Sequence, residues 1–403
     1  MRSKFWWCVV LLLSCGPGSA PEPAPEIATR SDALTQVSSF GTNPGGLSLF
    51  IYEPTSRPAS APLVVALHGC SQTASAYAAV GWNELADQHG FLVAYPQVTT
   101  NNACFDWFDA SEQSRSGGQV TSILQMVSWL VANKGVDGSR VYVTGLSAGG
   151  AMAGVLLAVA PDVFGRGVVF AGLPFACATS QVSAFGCMGG PPDKTPVQWG
   201  DLVRAAAGGR AAPRVSLWHG ASDTTVVPAN LVEEVDQWTN VNAIDQTADV
   251  TTTVGPATRK QFQDAQGVTL VESWSVAGMN HGTPVDPPAC GTAGAFILDV
   301  NVCSSAYAAE FFGLVVDGGV VDAGSGGGGG ATGGGGGVMG GGGGAMGGGG
   351  ATGGGGGSTG GGGATGGGGA QVPSGCGCQG ATDAIAIGLV ALLARRRHLL
   401  PRP

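Results

Sequence analysis

Short apolar runs alternate with amphipathic stretches from about residue 38 to residue 316. Four runs are almost continuously apolar, which is typical of strands buried on both faces of a sheet: 63–67, 91–95, 141–144 and 215–218. Helical patterns occur between and after them, at 76–89, 118–134, 148–160 and 228–242. Residues 259–264 and 268–276 flank a glycine turn and predict a hairpin or the last two strands. This β-α-β-α order predicts an α/β fold, with a mostly parallel central sheet and helices on both faces.

The N-terminal end has a different pattern. Arg2 and Lys4 precede a short apolar run and several small residues, an order typical of a signal peptide over residues 1–20. A Pro-rich tether is predicted at 21–37. Two alternatives remain for processing: lipidation of Cys15, which follows a lipobox-like Leu-Leu-Ser segment, or simple cleavage after the small residues.

Glycine dominates the region after the alternating pattern. The chain has 72 glycines, and runs of four or five of them repeat through residues 318–369. Such a tract loses much backbone entropy on ordering and offers few apolar side chains to bury, so a flexible linker is predicted at 317–375. Residues 376–403 contain a cysteine pair, a short apolar stretch and three arginines, an order that resembles the MYXO-CTERM sorting signal. A simple tail anchor is the alternative, and both predict a protein held at the cell surface.

Charge and cysteine content narrow the function classes. The net charge of -9 provides no basic surface for phosphates, so no nucleic-acid partner is predicted. Six cysteines lie in the predicted domain, without the spacing of a metal site, and exported proteins form disulfides. Neither a metal nor a cofactor is expected. Fifteen pairings are possible; proximity in sequence favours Cys177 with Cys187 and Cys290 with Cys303, which leaves Cys70 with Cys104.

A candidate nucleophile lies where a predicted strand meets a predicted helix. The segment Gly145-Leu146-Ser147-Ala148-Gly149 matches the G-x-S-x-G pattern in that context. It predicts a nucleophile elbow of the α/β-hydrolase fold, in which Ser147 stands above the sheet. Glycines flank the serine because side chains there would collide with neighbouring backbone. The alternative is an ordinary buried turn serine.

The serine needs a base within hydrogen-bond reach and an acid that orients the base. In this fold they follow in the order Asp, then His. His281 comes after the last predicted strand in a glycine-rich loop, and Asp223 lies between a strand and a helix. His219 ends the strand before Asp223 and is expected to be packed there. The alternative for Asp223 is a helix N-cap.

Acyl transfer also needs donors for the tetrahedral oxygen, and two backbone N–H groups are the usual supply. We assign them to Cys70 and Ala148. Cys70 follows His68 and Gly69 at the end of an early strand, the place where this fold builds its oxyanion hole. His68 is therefore expected to support that loop.

Five motifs occur in order along the domain: HGCSQ at 68–72, CFDWF at 104–108, GLSAGG at 145–150, AGLPF at 171–175 and GMNHGTP at 278–284. Together they resemble the extracellular poly(3-hydroxybutyrate) depolymerase family of esterases, which includes feruloyl and acetylxylan esterases. The resemblance implies the triad Ser147, Asp223 and His281 and an oxyanion donor at Cys70. It also implies an aromatic substrate contact at Trp107, for which an ordinary core position is the alternative.

These observations predict a secreted serine esterase that acts on poly(3-hydroxybutyrate)-type polyester or its oligomers through an acyl-enzyme. Removal of feruloyl or acetyl groups from plant polysaccharide is the alternative. A third hypothesis is a catalytically silent surface adhesin. Many polymer depolymerases carry a substrate-binding module after the catalytic domain, whereas glycine repeats stand at that place here.

Overall fold

The computed structural model describes residues 34–315 of the 403-residue chain. The predicted signal peptide, nearly all of the tether, the glycine-rich linker and the C-terminal sorting segment lie outside the described residues. The tether was predicted to extend to residue 37, whereas Thr35–Val37 form an edge strand of the sheet. Ordered structure therefore begins before the predicted domain boundary.

Twelve strands occur in the described region: β1 Thr35–Val37, β2 Ser48–Tyr52, β3 Ala61–Leu67, β4 Leu92–Gln97, β5 Val136–Leu146, β6 Arg166–Phe170, β7 Arg214–Gly220, β8 Val250–Val254, β9 Ala257–Gln263, β10 Thr269–Val276, β11 Thr283–Val285 and β12 Ile297–Asp299. Eight α-helices accompany them: α1 Ala74–Ala78, α2 Trp82–His89, α3 Gly118–Lys134, α4 Ala148–Val159, α5 Gln181–Gly189, α6 Pro196–Ala207, α7 Ala229–Val241 and α8 Ser304–Phe312. Within residues 34–315 we find no helix with the length and apolar character needed to cross a bilayer.

Ten of the strands form one sheet, in the order β1-β2-β4-β3-β5-β6-β7-β10-β9-β8. The six central strands from β4 to β10 are parallel to one another. Antiparallel pairs complete both edges. Because the carboxyl ends of parallel strands share one edge, the loops after β3, β5, β7 and β10 emerge on the same side of the sheet. The predicted mostly parallel sheet is confirmed.

Two hydrophobic cores flank the sheet, one on each face. Strand β3 is buried along its whole length, and its alternate residues belong to different cores. Leu63 and Val65 pack in the core that contains side chains of α3 and α4. Val64 and Ala66 pack in the core that contains side chains of α1, α2 and α8. Helices therefore cover both faces, as predicted.

Some elements differ from the prediction. The single helix expected at 76–89 is two helices, α1 and α2, because Gly81 between them has φ +98°. Strand β6 and helices α5 and α6 were not predicted. Helix α6 begins with a capping box, in which the Thr195 and Gln198 side chains bond reciprocally to the backbone. That start signal is visible in the sequence, whereas β6 is a five-residue strand with only three apolar residues in a row, at 168–170.

Three disulfides link the loops, and they are the pairs that sequence proximity favoured: Cys70–Cys104, Cys177–Cys187 and Cys290–Cys303. The first joins the loop after β3 to the loop after β4. The second joins a cysteine that precedes α5 to a cysteine within that helix. The third encloses β12, which lies beside β11 in a small parallel pair.

Two buried carboxyl groups differ in whether hydrogen-bond partners reach their oxygens. Glu272, on β10, is fully buried, and one of its oxygens accepts hydrogen bonds from the Ser216 hydroxyl at 2.7 Å and the Trp274 indole at 2.9 Å. Its other oxygen accepts two bonds from the Arg259 guanidinium, at 2.8 and 2.5 Å. Both oxygens are therefore satisfied, and the buried charge is paired.

Glu234, on α7, is also fully buried, beside Gly172 at the end of β6. No hydrogen bond or ion pair reaches its side chain from the rest of residues 34–315. Burial raises the pKa of Glu234 from its ordinary 4.5 to about 8. The carboxyl group is therefore neutral in the folded protein at pH 7.

Arg259→Ala should lower the free energy of unfolding by about 3 kcal/mol, because it leaves the Glu272 carboxylate buried without its cation. The midpoint of urea unfolding measures this. Lys260→Ala is the control, since it removes an exposed cation of the same strand and should change stability by less than about 0.5 kcal/mol. Equal midpoints for the two variants would contradict the pairing argument.

Glu234→Gln should make the protein more stable at pH 9 but not at pH 5. The folded pKa lies above the unfolded one, so wild-type stability falls as pH rises from 4.5 to about 8. A pKa shift of this size corresponds to a cost on the order of 5 kcal/mol. Urea unfolding at both pH values checks it, with Asp201→Asn, a change at an exposed carboxylate, as control. If Glu234→Gln changed the free energy of unfolding by the same amount at pH 5 and at pH 9, a buried neutral Glu234 would be excluded.

Candidate active site

The turn between β5 and α4 holds Ser147 in an unusual backbone conformation, with φ 57° and ψ -119°. A non-glycine residue adopts this only where the surrounding structure enforces it. A Cβ on Gly149 would collide with the carbonyl groups of Leu67 and His68, so the start of α4 lies directly against the end of β3. The Ser147 N–H donates to the Phe170 carbonyl at 2.9 Å, which ties the turn to β6. The turn has the geometry of a nucleophile elbow.

His281 and Asp223 form a direct pair. Nδ1 of His281 lies 2.7 Å from Oδ2 of Asp223, and both side chains are buried. The other Asp223 oxygen accepts the backbone N–H groups of Thr225 at 2.8 Å and Val226 at 2.9 Å. Helix α7 begins at Ala229, with residue 228 as its N-cap, so Asp223 does not cap that helix.

The charge state of Asp223 follows from these contacts. Burial favours the neutral acid, but the hydrogen bond from His281 and the backbone N–H groups of Val226 and Thr225 outweigh it and hold the pKa of Asp223 below its ordinary 3.8. An ionised carboxylate only accepts, so Nδ1 of His281 carries the proton of this bond. Nε2 of the neutral imidazole is then free to accept a proton.

Asn280 connects the acid loop to the base loop, and sequence reasoning did not identify it. Its Oδ1 accepts the N–H of Thr224 at 3.1 Å and the N–H of His281 at 2.8 Å. A second link is the hydrogen bond from the Ser222 N–H to the Met279 carbonyl, 2.9 Å long. Asparagine side chains often bond to nearby backbone groups in turns. An asparagine directly before His281 is therefore the sequence signal that could have indicated this role.

Backbone hydrogen bonds run across the carboxyl ends of the strands and join the elbow to these two loops. Beyond the bond from Ser147 to β6, the Ala171 N–H donates to the Trp218 carbonyl at 2.7 Å, and the Ala221 N–H donates to the Val276 carbonyl at 2.9 Å. No hydrogen bond joins the Ser147 hydroxyl to His281 within the described residues. Such bonds are often long before substrate binds.

The two predicted oxyanion donors have N–H groups without an internal partner. The N–H groups of Gly69, Ser71 and Gln72 all donate within the loop region, whereas no hydrogen bond from the Cys70 N–H occurs among residues 34–315. Ala148 is the first residue of α4, so its N–H has no carbonyl within the helix. Both groups are free to bind an oxygen atom.

The other two buried histidines support loops. His68 Nδ1 lies 2.8 Å from the Gly69 carbonyl, and its Nε2 accepts the Val98 N–H at 3.2 Å. Nε2 of His219 lies 2.8 Å from the Val226 carbonyl and 3.5 Å from Oδ2 of Asp223. Burial lowers the pKa of both histidines, which favours the neutral form of each ring. His219 is thus a packed strand-end residue, as predicted.

Two aromatic residues, Trp107 and Phe296, differ in how far they are exposed to solvent. Trp107 is 6% exposed and packs in the hydrophobic core against Phe108, which favours its alternative reading as a core residue. Phe296, which the sequence did not single out, is 41% exposed, and its ring centroid lies 6.0 Å from that of His281. Within the described part of the chain, no group of three His, Cys, Asp or Glu residues is placed to hold a metal ion.

Comparisons with known proteins agree with this geometry. Residues 47–263 match the family model described as esterase PHB depolymerase. Poly(3-hydroxyalkanoate) depolymerase C of Paucimonas lemoignei is 54% identical over 292 residues, which are 70% of this chain and 70% of that protein. An acetylxylan esterase of Coprinopsis cinerea is 38% identical over 273 residues, 65% of this chain and 72% of that protein. Feruloyl esterase B of Talaromyces stipitatus is 34% identical over 265 residues, 63% of this chain and 73% of that protein.

A solved structure shows the same architecture. The acetyl xylan esterase from Aspergillus awamori superposes with a TM-score of 0.61 at 27% identity, covering 70% of this chain and all of that one. The family match extends over more than half of the chain and contains the strand β3, the elbow and the loop of Asp223. The chain is a carboxylic ester hydrolase and belongs to the esterase PHB depolymerase family.

Proposed function

We propose that this chain hydrolyses the ester bonds of poly(3-hydroxybutyrate)-type polyester or of its oligomers, with Ser147, His281 and Asp223 as catalytic residues. The observation that carries the proposal is the buried 2.7 Å pair of His281 and Asp223. A series of backbone hydrogen bonds across the carboxyl ends of β6, β7 and β10 links the loops of this pair to the elbow. The polyester is supported by the higher identity to a poly(3-hydroxyalkanoate) depolymerase than to the polysaccharide esterases.

In the first half-reaction, Nε2 of His281 takes the proton of the Ser147 hydroxyl as its oxygen attacks the ester carbonyl carbon. The carbonyl oxygen becomes an oxyanion, which accepts hydrogen bonds from the N–H groups of Cys70 and Ala148. The positive end of helix α4 adds to this stabilisation. When the bond to the alcohol breaks, His281 returns its proton to the leaving oxygen, and the acyl group stays on Ser147.

In the second half-reaction, His281 takes a proton from water, and the resulting hydroxide attacks the acyl-enzyme carbonyl. The bond to the Ser147 oxygen breaks, and His281 protonates that oxygen. The ionised Asp223 stabilises the imidazolium in both steps and keeps the proton of the neutral ring on Nδ1. No redox partner or metal enters this sequence of bonds.

Removal of acetyl or feruloyl groups from polysaccharide is the second candidate. The similarity to acetylxylan and feruloyl esterases, and to the solved acetyl xylan esterase, supports it. The same triad would perform that reaction, because the bond cleaved is again a carboxylic ester.

The organisation of the whole chain is also part of the proposal. Three disulfides fit an exported protein. We infer export through residues 1–20, a catalytic domain at 34–315 and retention at the cell surface through residues 376–403 after a glycine-rich linker. The partners are then the polyester or ester-substituted polysaccharide and, through the terminal segments alone, the cell surface.

Ser147→Ala should lower kcat/KM for p-nitrophenyl butyrate by at least about 10⁴-fold, and Asp223→Asn by a similar factor, because it stabilises the wrong imidazole tautomer. Ser128→Ala is the control, since that hydroxyl is exposed on α3 and, among residues 34–315, bonds only to the Leu124 carbonyl. A silent adhesin would show the same background rate in wild type and in Ser147→Ala.

Wild-type protein should clear an emulsion of poly(3-hydroxybutyrate) and release 3-hydroxybutyrate or its oligomers, and should release ferulate or acetate from arabinoxylan at a much lower rate. Turbidity and chromatography of the products measure both reactions on the same preparation, with Ser147→Ala as the blank. Faster release from arabinoxylan would replace polyester by polysaccharide ester as the substrate.

A further inference from the structure

Phe296 places a large apolar side chain beside the imidazole of the proposed base. The two ring centroids are 6.0 Å apart, with an angle of 76° between the ring planes. The phenyl group is 41% exposed, so part of it faces solvent and is open to a ligand. Its segment lies between Cys290 and Cys303, which a disulfide joins.

The backbone at Phe296 is in a region that bulky residues rarely adopt, with φ +61°. Neighbouring bonds hold it there: the Phe296 carbonyl accepts the Thr283 N–H at 2.9 Å, and Gly294 and Ile297 exchange backbone hydrogen bonds at 2.9 and 3.1 Å. A side chain exposed to this extent contributes little to the core. A strained position with an exposed aromatic ring is characteristic of a ligand-contact site.

Gln72 connects this segment to the proposed oxyanion loop. Its side chain is buried, its Nε2 donates to the Ala295 carbonyl at 2.8 Å, and its Oε1 accepts the Gly69 N–H at 2.9 Å. Cys70, the proposed oxyanion donor, is the next residue after Gly69. The position of Phe296 is therefore set relative to both the base and the oxyanion loop.

The reaction chemistry says which part of the substrate meets this ring. His281 must deliver its proton to the leaving alcohol oxygen, so the alcohol part of the ester lies against the imidazole at that step. We propose that Phe296 is the apolar wall of the alcohol subsite and determines the preference for esters with an extended apolar alcohol part. In a polyester that part is the next hydroxyacid unit. This inference rests on the function proposed above and names the residue that gives it alcohol specificity.

The test compares two esters with one acyl group, methyl 3-hydroxybutyrate and n-butyl 3-hydroxybutyrate. Both form the same acyl-enzyme, so their kcat/KM values differ only through the alcohol part. Phe296→Asn should lower kcat/KM for the butyl ester about tenfold and leave that for the methyl ester within about twofold. Asparagine tolerates a positive φ, so this variant keeps the backbone conformation.

Two further variants make the result specific. Phe296→Leu keeps an apolar group and should retain most of the wild-type ratio between kcat/KM for the butyl ester and kcat/KM for the methyl ester. Phe185→Ala removes a phenyl group that is 55% exposed on α5 and should leave the ratio unchanged.

Equal losses on both esters in Phe296→Asn, or no loss on either, would overturn the assignment of the alcohol subsite. The assignment would also be overturned if Phe185→Ala lowered the ratio of the two kcat/KM values, butyl over methyl ester, as much as Phe296→Asn does. Any exposed ring would then suffice. Failure of the proposed function looks different: wild type would then hydrolyse neither ester faster than Ser147→Ala.

Discussion

The contact between Gly149 and the carbonyl groups of Leu67 and His68 is the constraint on which the site depends. Because residue 149 has no side chain, the first turn of α4 can lie against the end of β3, and two loops that are far apart in sequence meet. In the same turn Ser147 has a positive φ, and Ala148, as the first residue of α4, has an N–H without an internal partner. Backbone geometry, more than any side chain, therefore builds the half of the site that attacks the carbonyl and receives its charge.

The acid-base half depends on how a buried charge is compensated. Asp223 is buried, and burial alone would make it a neutral acid that cannot orient the imidazole of His281. Bonds from His281 and from two backbone N–H groups keep it ionised. Glu234 shows what the same fold does without such partners, since its pKa rises to about 8. Ionisation of Asp223 is thus a result of its contacts with His281 and with the loop that follows β7, and not of the residue type alone.

The sequence predicts the parts of this molecule that have a local signal. Helix α3 has the predicted bounds, and the continuous apolar runs correspond to β3, β4, β5 and β7, because a strand buried on both faces needs apolar residues at every position. The elbow was predicted from glycines that steric contact requires. Strand β6 could not be predicted, because pairing with strands that are distant in sequence determines it. The position of Phe296 could not be predicted either, because a hydrogen bond with Thr283 and the closure of a disulfide loop determine it.

The triad cannot discriminate between polyester and polysaccharide esters, because the cleaved bond and the charges that develop are the same. Discrimination must come from groups that touch the parts of the substrate on either side of the ester. In an acetylated xylan the alcohol part is a sugar, whose hydroxyl groups need hydrogen-bond partners when they lose water. In a polyester it is a hydroxyacid unit with a methyl branch. The phenyl group of Phe296, next to His281, offers apolar surface and no hydrogen bond. It therefore favours the polyester, on the side of the site where the alcohol must leave.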